Sequence, residues 1–145
     1  MLKGYCLAAA ILAASAIPVF AGNDCGLAPI GPAIPAASDL GGKTVEAGRA
    51  EVLDAYHQVK AYQTALQPFR ACLASLDAAD KAELASLDPK KDKDKIADIS
   101  QRISVRLKLN NQSVDAEQQV ANDFNALHTA QCVNDTDPKI CPKKQ

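Results

Sequence analysis

Apolar or small side chains recur every seven residues between positions 45 and 76, each followed by a second such position three residues later. The first position holds Val45, Val52, Val59, Leu66 and Leu73, and the second holds Gly48, Ala55, Tyr62, Phe69 and Leu76. This heptad repeat places both positions on one stripe of an α-helix, which requires a partner helix. The pattern therefore predicts a long helix that begins after Thr44, a residue suited to capping it.

The same periodicity returns in the second half of the chain and predicts the partner helix. Its seam holds Ile96, Ile99, Ile103, Asn110, Glu117, Val120, Phe124 and Leu127. The dipeptide Asp88-Pro89 has the form of a helix start, because an acidic cap precedes a proline at the first helical position. The alternation of apolar and polar residues from Ile103 to Leu109 is typical of a strand. We favour one helix from about Pro89 to Gln131, because both flanks of this stretch are helical in pattern.

Together these patterns predict an all-α fold, a long antiparallel two-helix hairpin of coiled-coil type over residues 44–132. We place the turn near residue 84, within a connector at residues 77–87, so that Cys72 lies beside about residue 96. Pro68 falls inside the first helix and removes one backbone hydrogen bond, which predicts a kink near Thr64. A helix that breaks and restarts at Pro68 is the alternative.

Proline-rich segments flank the hairpin. Residues 22–43 contain Pro29, Pro32 and Pro35, which exclude a regular helix and favour an extended polyproline II strap. We expect this strap to dock on the hairpin, the alternative being a disordered tail. Residues 133–145 form a second segment that its prolines, Pro138 and Pro142, keep from being helical.

The first 21 residues have the organisation of a secretory signal peptide. Lys3 precedes the apolar stretch 7–19, and Val-Phe-Ala at 19–21 forms a cleavage signal before Gly22. A transmembrane anchor would need about 20 apolar residues, and Pro18 interrupts this shorter stretch. We expect a periplasmic or secreted protein that begins at Gly22 and has no membrane span after cleavage.

The cysteines predict two disulfides. Cys6 lies in the signal peptide, which leaves Cys25, Cys72, Cys132 and Cys141 for pairing in an oxidising compartment. In the predicted hairpin Cys132 lies roughly 54 Å along the helix from the level of Cys72, and Cys141 can reach back only about 32 Å. This geometry leaves Cys25–Cys72 and Cys132–Cys141. A zinc site would need paired short spacings or a nearby histidine, which are lacking here.

Three segments carry a resemblance. They are the proline-rich start with Cys25, Val-Lys-Ala-Tyr with Phe-Arg-Ala-Cys-Leu at 59–73, and Asn-Asn-Gln-Ser-Val-Asp-Ala-Glu-Gln-Gln-Val-Ala-Asn-Asp-Phe-Asn at 110–125. The chain is similar in these segments to small exported helical proteins of proteobacteria. The resemblance covers most of the chain after the signal peptide and implies an architecture, without any catalytic residue.

Chemistry-bearing motifs are sparse. His57 follows Asp54 by three residues, a spacing that recurs in metal sites of helical bundles when a second such pair faces it. We place His57 beside about residue 111, far from His128, so Asp54 and His57 are only minor metal candidates and no cofactor is expected. No catalytic triad, HExxH or phosphate-loop pattern occurs. The net charge of −1 offers no field that would recruit nucleic acid.

We therefore expect a non-enzymatic interaction protein of the cell envelope that binds another protein or itself. The alternative is a small-ligand or metal carrier that uses Tyr56, His57 and Tyr62. Val105 and Leu109 fall outside the heptad seam, so they predict an apolar face that something must cover. The strap, through Ile30 and Ile34, is the intramolecular candidate to cover it, and a second chain is the rival.

Overall fold

The computed structural model describes residues 25–141 of the chain. A 3-10 helix at Ala37–Leu40 is followed by two long helices, α1 (Val45–Ala85) and α2 (Lys93–Gln131), which pack against each other as an antiparallel hairpin. Residues 25–141 contain no strand, and the predicted all-α hairpin is confirmed. The predicted signal peptide, its cleavage site and the last four residues lie outside the described residues.

Helix α1 begins where the sequence predicts, because the Thr44 hydroxyl accepts a hydrogen bond from the backbone N–H of Ala47. It continues without interruption through Pro68, so the break-and-restart alternative is wrong. It also extends through most of the predicted connector at residues 77–87. Alanine, lysine, glutamate and leucine dominate this stretch and have high helix propensity, and an ion pair links Asp77 to Lys81 one turn later.

The turn occupies residues 86–92, and α2 begins four residues after Pro89, at Lys93. The Asp88 carboxylate accepts hydrogen bonds from the backbone N–H groups of Lys90 and Lys91. Asp92 accepts one from the backbone N–H of Asp88 at 2.8 Å. Asp88-Pro89 therefore opens a turn, and the predicted helix start at Pro89 is corrected.

This later turn changes the alignment of the two helices. Arg70, two residues before Cys72, donates hydrogen bonds to Ser113, so Cys72 does not lie beside residue 96. The partner helix is displaced by about four turns relative to the predicted hairpin. The expected positions of the strap and of His57 relative to α2 change with it.

The heptad seam forms the core. Its buried positions in α1 are Gly48, Val52, Ala55, Val59, Tyr62, Leu66, Phe69, Leu73 and Asp80, and those in α2 include Ile99, Arg106, Ser113, Val120 and Leu127. The α2 set recurs every seven residues, but two of its members are polar. The predicted seam residues Ile103, Asn110, Glu117 and Phe124 are half-buried beside it.

The strap lies on the half of the hairpin that is farther from the turn. A Cβ atom on Gly31 would approach Cγ2 of Val120 to 3.0 Å and the Tyr62 ring to 3.6 Å, so a glycine permits the close contact. Ile34 packs against the core clusters built around Val59 and Leu127. This half of the molecule therefore has three layers of chain, whereas the half near the turn has two helices.

Both predicted disulfides are present, joining Cys25 to Cys72 and Cys132 to Cys141. The first anchors the start of the strap to the middle of α1. The second closes a short loop after α2. Neither described helix has a stretch that is both long and apolar enough to cross a membrane.

Candidate functional site

Val105 and Leu109, the predicted interaction residues, lie on α2 in the half near the turn, and both are half-buried. The prediction that the strap covers them is wrong. Ile34 packs near Val120, which is roughly 16 Å farther along α2 than Leu109. Ile30 is 93% exposed. The cause is the displaced alignment, which carries the strap to the other end of α2.

Apolar side chains flank the seam of α2 on both sides in this half. Val105 and Leu109 are four residues apart and share one flank, while Ile103 and Leu107 share the other. The buried Arg106 lies between the two flanks. Leu107 is 60% exposed, although it is a large aliphatic side chain. The turn-proximal surface is our name for the surface that Ile103, Val105, Arg106, Leu107 and Leu109 of α2 form.

A cavity of about 240 Å³ opens between the helices at this surface. It is lined by Leu73, Ala74, Asp77 and Lys81 of α1 and by Ile103, Arg106, Leu107 and Asn110 of α2. Its walls are largely aliphatic, and its charged lining comprises one acidic and two basic residues. Such a groove suits an apolar side chain that is accompanied by a hydrogen-bond acceptor.

Arg106 supplies a buried donor at this groove. Only 4% of its surface is exposed, and its guanidinium donates to Asp80. Its Nε atom is buried and has no hydrogen-bond partner within the part of the chain that the structure describes. An unpaired buried donor is costly, so an acceptor brought to this site would be favoured.

Asp80 of α1 accepts hydrogen bonds from two arginines of α2, Arg102 and Arg106. Its carboxylate accepts bonds of 2.8 and 3.2 Å from Arg102 as well as the bond from Arg106. The hydrogen bond from Arg102, aided by Arg106, lowers the pKa of Asp80 from 3.8 to about 2, against the opposing effect of burial. The hydrogen bond to Asp80, aided by the negative charge of this carboxylate, in turn raises the pKa of Arg102 against the effect of burial.

Asp80 and Arg106 are not among the site residues predicted from the sequence. A signal for Arg106 was present, because it follows the seam residue Ile99 by seven positions and Ser113 follows Arg106 by seven more. Reading only apolar residues along the repeat left both polar members out. Asp80 carries the same signal, because it follows the seam residue Leu73 by seven positions, although an aspartate near a turn is ordinarily exposed.

Two further polar links cross the hairpin. Arg70 donates to the hydroxyl and carbonyl oxygens of Ser113, both at 2.8 Å, and to Glu117 at 2.7 Å. At the end away from the turn, the Arg49 guanidinium donates two hydrogen bonds, of 3.0 and 2.7 Å, to the Asp135 carboxylate. The Arg49 guanidinium holds the pKa of that carboxyl well below its usual range.

The residues of the carrier alternative do not form one site. Tyr62 is buried in the core beneath the strap, whereas Tyr56 and His57 are exposed. Asp54 is exposed and accepts a hydrogen bond from Gln58. Across residues 25–141, neither Asp54 nor His57 belongs to a cluster of three metal-ligating side chains.

His128 lies in an aromatic row that the predicted alignment excluded. The Tyr56 ring contacts those of His57 and Phe124, and Phe124 stacks on His128 with ring centroids 5.9 Å apart. The expectation that His57 lies beside residue 111, far from His128, is therefore wrong. The shifted alignment brings Phe124, four residues before His128, to the level of Tyr56.

His128 also adjoins the Cys132–Cys141 disulfide. Its Nε2 atom lies 2.6 Å from the carbonyl oxygen of Ile140 and 3.6 Å from Sγ of Cys132. A ring nitrogen of His128 and the two sulfur atoms lie within 4.8 Å of one another. This grouping combines an imidazole with a half-buried disulfide at the end of α2.

Comparison of the chain with protein-family models, with curated proteins and with solved structures finds no match.

Proposed function

We propose that this chain is an exported, non-enzymatic helical interaction protein of the cell envelope, and that the turn-proximal surface binds an amphipathic helix of a partner protein. The supporting observation is the uneven covering of the hairpin. The strap adds a third layer over one half, whereas exposed Leu107 borders an open groove in the other. An apolar surface of this kind, next to a groove, is typical of helix-in-groove recognition.

The groove also favours one partner chemistry. Aliphatic walls accept an apolar anchor, and Arg106 Nε lacks an acceptor. A partner helix with a leucine-like side chain would fill the groove, and a neighbouring carboxylate or amide oxygen would pair with Nε once Arg106 turns toward it, because this atom is buried in the unbound protein. We therefore propose an apolar, acceptor-bearing helix as the partner, and a second copy of the chain as the competing occupant.

Point variants on the two halves of the hairpin test this proposal. Leu107→Asp places a charge on the turn-proximal surface, and Leu53→Asp makes the same change at an exposed leucine on the other half. With the mature protein as bait in envelope extract, Leu107→Asp should lose its partner while Leu53→Asp retains it. Equal capture by both variants would refute the proposal.

Light scattering identifies the competing occupant. If the parent protein is an oligomer that Leu107→Asp converts to a monomer while Leu53→Asp does not, the occupant is a second copy. Circular dichroism of each variant should match the parent, which excludes misfolding as the cause of lost binding.

Export is part of the same proposal. Two formed disulfides suit an oxidising compartment, and the resemblance to exported helical proteins of proteobacteria points to the periplasm or the medium. Mass spectrometry of the native protein should find Gly22 at its N-terminus. A cytosolic species that retains Met1 would contradict export.

The carrier alternative has less support. Burial of Tyr62 separates it from the exposed Tyr56 and His57, so these three side chains offer no common surface to a ligand.

A further inference from the structure

The two disulfides differ in their surroundings. Cys132–Cys141 has the imidazole of His128 beside it, with 3.6 Å between Nε2 and Cys132 Sγ. The chain's other histidine, His57, lies roughly 22 Å along α1 from Cys72, so Cys25–Cys72 has no equivalent neighbour. Of the two disulfides that the structure describes, Cys132–Cys141 is therefore the one with a histidine beside it.

The orientation of His128 decides what its Nε2 atom can do. A carbonyl oxygen only accepts hydrogen bonds, so Nε2, at 2.6 Å from the Ile140 oxygen, carries the hydrogen. The stacked Phe124 ring holds the imidazole from one face. Nε2 consequently donates its hydrogen to Ile140 and has no lone pair for a metal ion, and the two sulfurs beside it are bonded to each other. The arrangement favours thiolate stabilisation over metal binding.

We propose that Cys132–Cys141 is an exchangeable disulfide that accepts electrons from the dithiol of a partner protein. The partner's thiolate attacks Sγ of Cys141, forms a mixed disulfide with it and expels the Cys132 thiolate. The partner's second thiolate then attacks its own sulfur in the mixed disulfide and releases Cys141. The partner dithiol is oxidised by two electrons, and Cys132 and Cys141 end as thiols once protonated.

Cys132 becomes the leaving group because His128 can donate to it. A leaving thiolate that is stabilised departs faster. Cys132 caps the C-terminus of α2, where the helix carbonyls disfavour a negative charge. The Nε2–H of His128 counters that effect by turning from the Ile140 carbonyl to the new thiolate, forming a charge-assisted hydrogen bond.

The disulfide is also within reach of an attacking thiol. Both cysteines are half-buried rather than buried, and Val133, Pro138 and Lys139 in the loop that the disulfide closes are exposed. Attack on Cys141 requires no opening of the hairpin core, since the loop follows the end of α2.

Variants of His128 test the inference, with the other disulfide as an internal control. The full mature chain is treated with dithiothreitol, quenched by alkylation, and each disulfide is quantified by peptide mass spectrometry. His128→Leu, which removes the donor, should slow reduction of Cys132–Cys141 about fivefold or more. His128→Gln, whose amide N–H reaches a similar position, should restore part of the rate. Reduction of Cys25–Cys72 should not change in either variant.

Rates for Cys132–Cys141 that agree within about twofold in all three proteins would overturn the inference, because a merely structural His128 would not affect the exchange rate.

A second measurement needs no variant. Brief treatment of the wild-type protein with glutathione should trap the mixed disulfide on Cys141. An adduct found on Cys132 instead would show that Cys141 is the leaving group and would also overturn the inference.

Discussion

At the scale of the residue, polar side chains at heptad positions set the alignment of the helices. Arg106 and Ser113 occupy buried positions of α2, and each has a specific partner on α1, Asp80 for the first and Arg70 for the second. Apolar seam residues alone would tolerate a slip of α2 along α1 by seven residues, since each apolar side chain would then be replaced by the next one along the repeat. A slip would separate these polar pairs and leave buried groups unpaired, which is costly.

We predict that the two ends of the Asp80–Arg106 pair differ in importance. Asp80→Leu leaves the buried Arg106 without its carboxylate and should lower the free energy of unfolding by about 3–5 kcal/mol. Arg106→Met leaves Asp80 paired with Arg102 and adds an apolar side chain to the seam, so it should cost about 1 kcal/mol or less. Urea denaturation measures both. Equal losses would mean that Arg102 contributes nothing to holding Asp80.

The lowered pKa of Asp80 predicts a pH dependence. The folded protein holds this carboxyl at a pKa of about 2, below its ordinary 3.8. In acid the unfolded chain therefore takes up the proton first, and the stabilising contribution is present above about pH 4 and lost as the pH falls toward 2. Chemical denaturation at several pH values should show a smaller loss over this window for Asp80→Asn than for the parent. Identical slopes would contradict the prediction.

At the scale of the element, α1 remains one helix of 41 residues despite Pro68. The proline has no N–H to donate to the Thr64 carbonyl, and it ordinarily kinks or breaks a helix. Leu66, Phe69 and Leu73 are buried on both sides of this position. Packing against α2 and the strap therefore keeps α1 continuous where its local sequence would favour an interruption.

We expect Pro68→Ala to stabilise the protein. The change restores a backbone hydrogen bond at an exposed position and replaces the poorest helix former with the best, which should add about 1–3 kcal/mol. Thermal unfolding measures the gain, with Gln67→Ala at the neighbouring exposed position as a near-neutral control. A loss of stability would show that the geometry imposed by Pro68 is needed to align Phe69 and Leu73 with α2.

At the scale of the whole molecule, the disulfides and salt bridges fasten the ends of the chain to the hairpin. Cys25–Cys72 fixes the strap to the middle of α1, and Arg49 holds the loop after α2 through Asp135 and Asp137. A two-helix hairpin has much surface for its volume, so such links add stability that its core supplies only in part. They also restrict the strap to the half of the hairpin that is farther from the turn. The strap therefore does not cover the turn-proximal surface.

The two disulfides should contribute unequally to stability. Cys25 and Cys72 are separated by 47 residues, and chain entropy predicts a loss of about 4 kcal/mol when both become serine. Cys132 and Cys141 are separated by 9 residues, and the same substitution should cost about 3 kcal/mol at most. Guanidinium denaturation of the two double variants compares them. A larger loss for the second pair would show that the loop after α2 matters more than the strap.

The heptad pattern of the sequence is sufficient to predict both helices and the buried face of α1. The heptad period is a local property of each helix. The disulfide pairing was also predicted correctly, although the separation of about 54 Å used for it came from the wrong turn position, because Cys132 still lies roughly 32 Å along α2 from the level of Cys72. The alignment of α2 against α1, the position of the strap and the neighbours of Arg106 and His128 depend on tertiary contacts. A repeat of seven residues permits several alignments with similar apolar contact. The choice among them depends on turn geometry and on buried polar pairs such as Asp80 with Arg106, which exist only when both helices are in place.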